Sequence, residues 1–266
     1  MYQFEYHRPR STQEAEELRR ARSDASYLAG GMTLIPTLKQ RLASPSDLVD
    51  LGAIDGLAGI EVTRDKVIIG AMTRHADVAA SADVRRVIPA LASLAGEIGD
   101  AQVRNRGTLG GSIANSDPAA DYPAAVVGLG AIVHTTRRTI PGDEYFEDLF
   151  TTALEPGELI VKVEFSVPKR AAYRKFPNPA SRYAVVGVFV ADIGANVRVG
   201  VTGAGPCAFR CTPLEAALGK ALSPEVVDGV TIDGRRFNSD AHASAEYRTH
   251  LVKVMAKRAV ADLLAA

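Results

Sequence analysis

Two glycine pairs are the residues of this 266-residue sequence whose types and spacing most directly suggest ligand chemistry. The first lies in Ala29-Gly30-Gly31-Met32-Thr33, and the second lies in Thr108-Leu109-Gly110-Gly111-Ser112. Because glycine has no Cβ, such turns can adopt positive φ and let a ligand approach the backbone closely. Successive amides can then point into one concavity that binds an oxyanion, and a helix start adds partial positive charge. The pattern predicts that one pyrophosphate is held between the two turns.

Either glycine pair alone is more typical of a simple tight turn, so the prediction depends on the two together. Each pair is followed by a hydroxyl, Thr33 or Ser112, and the second leads to Asn115 and Asp121, which suit ribose or ribityl hydroxyls. The sequence contains no G-x-x-x-x-G-K-[ST] and no G-x-G-x-x-G after a strand. These absences argue against a P-loop and against a Rossmann site.

Composition limits the class of partner. Lys plus Arg and Asp plus Glu number 31 each, so the net charge of zero gives no electrostatic footprint for nucleic acid. The apolar stretches 123–133 and 183–193 are about half the roughly 20 residues of a membrane-spanning helix, so we expect them in the core and expect no transmembrane segment. Residues 1–10 lack the apolar run of a signal peptide, which favours the cytoplasm.

Metal binding is not expected in this chain. Its cysteines are Cys207 and Cys211 alone, whereas a structural zinc or an iron–sulfur cluster takes about four ligands. The five histidines are scattered and lack the H-E-x-x-H spacing of a metal site. An iron–sulfur cluster would therefore have to lie on another chain.

The elements around the first glycine pair form a βαβ-like unit. A capping box at Ser11 and Glu14 begins a helix that ends near residue 22. A strand at 26–29 stops at the glycine pair, a helix follows with Thr33 as its N-cap, and a strand at 48–51 completes the unit.

The second glycine pair lies in segment 107–121, which fits neither the helical nor the strand period. A segment of this kind inside a compact domain is usually functional. The pattern changes near residues 168–170, where we place a domain boundary. Around the segment we expect strands at 59–63, 66–70, 131–140 and 159–165, and helices at 73–81 and 83–98, the second broken at Pro89. Downstream of the boundary we expect three antiparallel strands, at 171–176, 184–193 and 196–203, and a helix at 245–264.

The longer motifs around the two glycine pairs resemble one family. Residues 29–39 read A-G-G-x-[ST]-L-[IL]-P-x-[ML]-K, and residues 107–121 read G-T-[IL]-G-G-[NS]-x-A-N-x-D-P-A-A-D. In this order they resemble the FAD-binding medium subunit of the molybdenum hydroxylases, which include the carbon monoxide dehydrogenase medium chain and the flavin domain of xanthine dehydrogenase. The segment from Ala243 onward resembles the family's last helix, so the resemblance covers the whole chain.

The resemblance implies an α+β fold. A two-lobed FAD-binding domain of the PCMH type would occupy residues 1–168, with lobes at about 1–55 and 56–168. A C-terminal α+β domain with a three-stranded antiparallel sheet and helices would occupy residues 169–266.

The resemblance also implies the residues that bind FAD, held non-covalently. The two glycine turns would hold the pyrophosphate, and Asn115 and Asp121 would lie near the ribityl chain. Ile98 and Ile160 would sandwich the adenine, although plain core burial is an equally good interpretation for both. No residue is expected to act as a general acid or base. The expected cofactor-binding residues are Leu28, Ala29, Gly30, Gly31, Met32, Thr33, Leu34, Ile35, Ile98, Thr108, Leu109, Gly110, Gly111, Ser112, Asn115, Asp121 and Ile160, with Lys175 and Tyr183 beside the isoalloxazine ring.

Two residues depart from the family's pattern. Arg182 stands where the family usually has an acidic residue before the tyrosine, and a positive charge there should stabilise reduced, anionic flavin. Met32 stands where relatives often carry His or Asn, which implies one hydrogen bond fewer to the cofactor.

The function implied is electron relay through FAD, from iron–sulfur clusters of a small partner subunit fed by a large molybdopterin subunit, to a terminal acceptor. The expected assembly is a dimer of heterotrimers. Two alternatives stay open: a stand-alone FAD-dependent oxidoreductase, and a non-catalytic flavin-binding module. The sequence identifies neither the substrate nor the terminal acceptor, which could be NAD, quinone, oxygen or another acceptor.

Overall fold

The computed structural model, which describes residues 1–265, contains three main sheets that follow one another along the chain. A small two-stranded hairpin is inserted within the chain span of the second sheet. The first lobe is a parallel sheet in the order β1-β3-β2, flanked by two helices. Ser11 Oγ accepts the Glu14 amide at 3.1 Å, and this cap begins the first helix as expected. The elements of this lobe are β1 (Glu5–His7), α1 (Thr12–Ala21), β2 (Ser26–Leu28), α2 (Leu34–Lys39) and β3 (Asp47–Asp50).

The second lobe is a five-stranded antiparallel sheet, in the order β4-β5-β10-β6-β7, covered by short helices. Pro89 occupies the first turn of α5, which separates it from α4, as expected for a residue that cannot continue a helix. The elements are β4 (Ile60–Val62), β5 (Lys66–Gly70), α3 (His75–Ala80), α4 (Ala82–Val87), α5 (Pro89–Gly96), α6 (Ala101–Arg106), α7 (Leu109–Asn115), α8 (Tyr122–Gly128), β6 (Ile132–Thr135), β7 (Thr139–Pro141), β8 (Phe146–Asp148), β9 (Thr151–Thr152) and β10 (Ile160–Ser166).

Two expectations for the second lobe are wrong. The single strand expected at 131–140 is a hairpin, because the Thr135 amide bonds to the Arg138 carbonyl at 2.9 Å and turns the chain between β6 and β7. The segment 107–121 is not irregular throughout, because it contains α7. Thr108 Oγ1 caps this helix by accepting the Gly111 amide at 3.1 Å, and Leu109 and Ile113 on its inner face are fully buried.

The third unit is an antiparallel sheet covered by the C-terminal helix. It has four strands, in the order β11-β12-β13-β14, rather than the three expected, because the fourth has only two residues and leaves no sequence pattern. Its elements are β11 (Arg170–Pro177), β12 (Ala184–Asp192), β13 (Val197–Thr202), β14 (Phe209–Arg210), α9 (Thr212–Leu218) and α10 (Ala245–Ala265).

Strand β12 joins the units because it is buried on both faces. Val188 and Val190 belong to the hydrophobic cluster under α10, whereas Phe189 and Ala191 belong to the cluster of the second lobe. The backbones of α8 and β13 approach so closely that a Cβ on Gly200 would lie 2.2 Å from the Ala124 carbonyl oxygen. The two apolar stretches of the sequence are thus core elements, α8 and β12, as expected. No helix within residues 1–265 is long and apolar enough to span a bilayer.

Candidate functional site

A cleft of about 830 Å³ lies between the two lobes of the N-terminal unit. One wall is the β2–α2 turn, the other combines α6, α7 and the start of β10, and residues 180–183 of the third unit close one end. Tyr27 Oη donates to the Gly157 carbonyl at 2.9 Å and bridges the two lobes. Expected site residues that line the cleft are Ala29, Gly30, Gly31, Met32, Thr33, Leu34, Ile98, Thr108, Gly110, Gly111, Ser112, Asn115, Asp121, Ile160 and Tyr183.

The other four expected residues lie behind the lining. Leu28 and Ile35 pack beneath Gly31, since a Cβ on that glycine would lie 3.3 Å and 2.9 Å from their side chains. Leu109 is fully buried in the core of the second lobe. Lys175 is likewise buried, with a side chain only 4 % exposed. These residues support the shape of the cleft rather than form its surface.

The first glycine turn presents free backbone donors. Within residues 1–265, no acceptor is present for the amides of residues 30–34, because α2 begins only with the bond from the Ile35 amide to the Gly31 carbonyl at 3.0 Å. Gly31 has φ of 72°, a conformation that glycine adopts without strain. Thr33 occupies the N-cap position without making a side-chain cap, so its hydroxyl is also free. Successive free amides of this kind form a nest for an anion.

The second glycine turn differs from the expectation that its amides are also free. The Leu109 amide bonds to the Thr73 carbonyl at 3.0 Å, the Gly110 amide to the Ala71 carbonyl at 2.8 Å, and the Gly111 amide to Thr108 Oγ1. The N-terminus of α7 is thus satisfied by the protein itself. This turn offers the hydroxyls of Thr108 and Ser112 and the close approach that glycine allows.

The two turns converge as the sequence predicted. A Cβ on Gly30 would lie 2.0 Å from the Arg106 carbonyl oxygen and 2.8 Å from the Gly107 Cα. A Cβ on Gly111 would lie 3.4 Å from the Ala29 Cβ. The backbones therefore touch at a point where only glycine fits, although about 80 residues separate the two turns in the sequence.

A buried ion pair joins the cleft wall to the third unit. Lys175 Nζ lies 3.0 Å from Asp121 Oδ1 and donates to the carbonyls of Glu97 at 2.8 Å and Arg182 at 3.0 Å. Tyr173 Oη donates to the same carboxylate at 2.5 Å. Burial raises the pKa of Asp121 to about 6, although Lys175 and Tyr173 lower it. Lys175 therefore reaches the cleft only through Asp121 and Arg182.

The sequence reasoning missed His75, which also lines the cleft. Its side chain packs on Gly107, where a Cβ would lie 2.6 Å from Nε2, and the residue is 4 % exposed. Burial, helped by the charge of Arg104, lowers the pKa of His75 to about 4, so the ring is neutral at pH 7. Only its position at the start of α3, the helix that follows β5, could have indicated it.

These features fit a dinucleotide. The volume of the cleft lies within the range of about 300–1,000 Å³ that ligand pockets occupy, and its lining is mixed polar and apolar. The free amides of residues 30–34 suit a pyrophosphate, the hydroxyls and Asn115 suit sugar hydroxyls, and Ile98 and Ile160 provide apolar surface for a base. The residues present are therefore compatible with FAD.

Comparisons with known proteins agree with this interpretation. Residues 2–169 match the family model described as FAD binding domain in molybdopterin dehydrogenase, and residues 171–263 match the CO dehydrogenase flavoprotein C-terminal domain. The chain is 34 % identical to the nicotine 6-hydroxylase medium subunit of Paenarthrobacter nicotinovorans, over 97 % of this chain and 96 % of that protein. It is 36 % identical to the carbon monoxide dehydrogenase medium chain of Hydrogenophaga pseudoflava, with the same shares of the two chains covered.

Solved structures show the same similarity in three dimensions. Carbon monoxide dehydrogenase from Hydrogenophaga pseudoflava, in a form lacking the Mo-pyranopterin moiety, superposes with a TM-score of 0.89 at 35 % identity, covering 99 % of this chain and 98 % of that chain. A cyanide-inactivated Cu,Mo-CO dehydrogenase superposes with a TM-score of 0.90 at 33 % identity, covering 100 % and 99 %.

Proposed function

The chain belongs to the FAD-binding medium subunits of the molybdenum hydroxylases, and we propose that it relays electrons through FAD from iron–sulfur clusters of a partner subunit to a terminal acceptor. It is thus the flavoprotein subunit of an oxidoreductase similar to carbon monoxide dehydrogenase and xanthine dehydrogenase. FAD supplies the exchange of one or two electrons. Two cysteines are too few for a cluster, which supports placing the iron–sulfur and molybdopterin groups on small and large partner subunits.

In this proposal, the residues of the cleft divide the work of binding. The free amides of residues 30–34 donate to the pyrophosphate, assisted by the hydroxyls of Thr108 and Ser112. Asn115 and Asp121 hold the ribityl chain, and Ile98 and Ile160 exclude water around the adenine. Tyr183, with its phenol half-exposed at the closed end, lies against the isoalloxazine ring. Lys175 acts behind the wall by fixing Asp121.

The assembly is part of the same proposal. The curated relatives are named as medium chains or subunits, which supports a complex with a small and a large partner. We place the complex in the cytoplasm as a dimer of heterotrimers. Copurification tests this directly, since iron, molybdenum and two companion chains should accompany the flavin. A lone chain with turnover, or with bound FAD and no partners, would instead favour the two alternative functions.

The contact between Gly30 and the Arg106 carbonyl is the observation that carries the FAD proposal, because it brings both turns to one place. Gly30→Ala should push the turns apart, since the added Cβ meets rigid backbone at 2.0 Å. We expect FAD affinity to fall at least about tenfold, or ~1.4 kcal/mol. The measurement is FAD retained after gel filtration and the dissociation constant on titration.

Gly229→Ala is the matched control, because nothing lies within 4 Å of a Cβ at that position. Gly111→Ala provides a milder second variant, since its new Cβ meets the Thr108 hydroxyl at 2.9 Å rather than a carbonyl. Far-ultraviolet circular dichroism would verify that each variant folds. Wild-type protein that takes up no FAD, or a folded Gly30→Ala that binds it normally, would refute the proposal.

A further inference from the structure

Two neighbouring apolar side chains project into solvent from the turn of the β8–β9 hairpin. Leu149 is 52 % exposed and Phe150 is 58 % exposed. Beyond Met1 and Tyr2, they form the only consecutive pair of exposed large apolar residues within residues 1–265. Single exposed apolar side chains are normal on protein surfaces, whereas adjacent ones that form a patch commonly mark an interaction site.

The turn holds both side chains in a defined conformation. Asp148 Oδ1 accepts the Leu149 amide at 2.8 Å, and Thr151 Oγ1 donates to the Leu149 carbonyl at 3.1 Å. Phe150 has φ of 51°, in the left-handed region that a bulky residue rarely occupies. Glycine or asparagine would adopt this conformation with less strain, so the turn alone does not account for a phenylalanine here.

The hairpin is fixed to the rest of the protein on two sides. Ser116, which ends α7, donates from its hydroxyl to the Thr151 carbonyl at 3.3 Å. On the other side, the Cys207 thiol of the third unit lies 3.7 Å from the Phe146 carbonyl oxygen. Thr152 also lines the cleft. The exposed turn is thus held at the rim of the cleft, where the second lobe meets the third unit.

This part of the rim belongs to the end of the cleft where Tyr183 lies. Asp117 directly follows Ser116 and lines the cleft together with Tyr183. Burial raises the pKa of Tyr183, and the charges of Asp117 and Asp121 raise it further, so both carboxylates lie near the phenol. Tyr183 is 45 % exposed, so another chain that contacts the hairpin turn can also contact this tyrosine.

The proposed electron relay needs a partner at this end of the cleft. In that proposal the isoalloxazine ring lies against Tyr183, and the rate of electron transfer between two bound centres falls steeply with the distance between them. The chain that carries the iron–sulfur cluster must therefore approach this end, whereas the molybdopterin-carrying chain passes its electrons through the cluster. Glu147 and Asp148 are exposed on the same hairpin and give the apolar patch a negative border. A complementary surface presents basic residues around an apolar pocket.

We propose that Leu149 and Phe150 insert into an apolar pocket, bordered by lysine or arginine, on the chain that carries the iron–sulfur cluster. The inference depends on the proposed function, because the relay is what requires that chain beside Tyr183. A few large side chains buried at the centre of an interface usually supply most of its binding energy. The hairpin turn is then a docking contact and takes no part in holding FAD.

A double substitution tests the docking contact in the purified complex. Leu149→Ser combined with Phe150→Asn removes both apolar side chains, and asparagine tolerates the positive φ at position 150, so the hairpin should keep its fold. We expect the affinity for the copurifying iron-containing chain to fall at least about tenfold, or ~1.4 kcal/mol. Calorimetric titration of the separated chains measures the affinity, and iron in the FAD-containing gel-filtration peak gives a second readout. The FAD content should equal that of wild type.

Leu42→Ser is the matched control, because Leu42 is 74 % exposed and lies in the first lobe, after α2. It should bind the iron-containing chain as wild type does. Glu147→Lys tests the negative border, and it should weaken binding several-fold at low salt and less at high salt. Far-ultraviolet circular dichroism verifies that each variant folds.

A photo-crosslinking residue identifies the chain that covers the turn. Phe150→p-benzoylphenylalanine keeps an aromatic ring at the position and should cross-link to the iron-containing chain in the assembled complex. Cross-links to the molybdenum-containing chain or to a second copy of this chain, or no cross-link at all, would overturn the proposal. So would a folded double variant that binds the iron-containing chain with wild-type affinity. Failure of the flavin proposal is distinguishable, because it would appear as wild-type protein that takes up no FAD, a measurement that needs no partner.

Discussion

At the scale of single residues, His75 is expected to make the stability of the folded protein depend on pH. Burial and Arg104 lower its pKa to about 4, whereas an unfolded chain takes up the proton near pH 6.5. The unfolded state therefore binds more protons between these values, so stability is full above about pH 6.5 and falls as pH drops towards 4. The expected loss is on the order of 3 kcal/mol. Denaturant unfolding at pH 7, 6, 5 and 4 measures the loss, of which about 2 kcal/mol should be present at pH 5.

His75→Gln should remove this part of the pH dependence, because glutamine does not titrate. His250→Gln, at an exposed position, should leave the pH dependence as in wild type. Parallel pH profiles of wild type and His75→Gln would contradict the buried, neutral ring.

Arg182 can be tested without disturbing its loop. The residue is exposed with φ of 61°, and Asp and Asn tolerate this left-handed region better than most residues. Its bond from Lys175 uses the carbonyl and survives any side-chain change. If the positive charge stabilises reduced flavin, Arg182→Asp should lower the midpoint potential of bound FAD, and Arg182→Asn should lower it by less. Spectroelectrochemical titration measures the potential, and three equal values would exclude the charge effect.

The glycine turns were predictable from sequence, whereas His75 and the Asp121–Lys175 pair were not. The conformational freedom of a Gly-Gly pair can be inferred from the residue type alone, and only glycine tolerates the close backbone approach at Gly30. The burial of His75 and the pairing of Lys175 depend on chain segments far away in sequence.

At the scale of elements, α7 decides what the second turn contributes. Its first amides are satisfied by Thr73, Ala71 and Thr108, so this turn acts through hydroxyls and shape. The sequence did not predict this helix because its glycines and polar residues obscure the helical spacing of its apolar residues. Its existence depends on packing, since a Cβ on Gly110 would lie 2.6 Å from the Ala71 Cβ. Short strands such as β1 and β14 escaped prediction for the same reason: their partners, not their own residues, define them.

Thr108 is therefore expected to serve both stability and ligand binding. Thr108→Val keeps the shape but removes the cap of α7, which should cost about 1 kcal/mol of unfolding free energy and also weaken FAD binding. Thr108→Ser keeps the hydroxyl and should restore most of both. Urea unfolding and FAD titration measure the two effects. A Thr108→Val protein that matches wild type in both would show that the cap is dispensable.

At the scale of the whole molecule, the third unit completes the cleft. The sequence pattern predicted that this unit follows the FAD-binding domain along the chain, but not that it contacts the cleft. Strand β11 contributes Tyr173 and Lys175, and both bind Asp121 at the start of α8. Strand order and hydrophobic runs predicted that this unit exists, and the resemblance implied that Lys175 lies near the flavin. Neither the sequence pattern nor the resemblance could show that the charge of Lys175 pairs with Asp121 and so holds the two units together.

Lys175→Met tests that role. Removing one partner of a buried pair leaves an uncompensated charge, which should cost about 3–5 kcal/mol of unfolding free energy. Without Lys175 only the hydrogen bond from Tyr173 opposes the burial that already raises the pKa of Asp121, so the pKa should rise further above about 6. Since the folded state then binds more protons than the unfolded state, the loss should be smaller at pH 5 than at pH 8.

A second substitution separates charge from packing. Lys175→Met combined with Asp121→Asn removes both charges and should recover much of the stability lost at pH 8, because no ion is left unpaired. Lys169→Met, at an exposed position, should change little at either pH. Denaturant unfolding at the two pH values measures all three proteins. The stability lost in Lys175→Met could instead be independent of pH and not be relieved by Asp121→Asn. That result would mean that Lys175 stabilises the contact between the two units through the packing of its aliphatic stem and not through its charge.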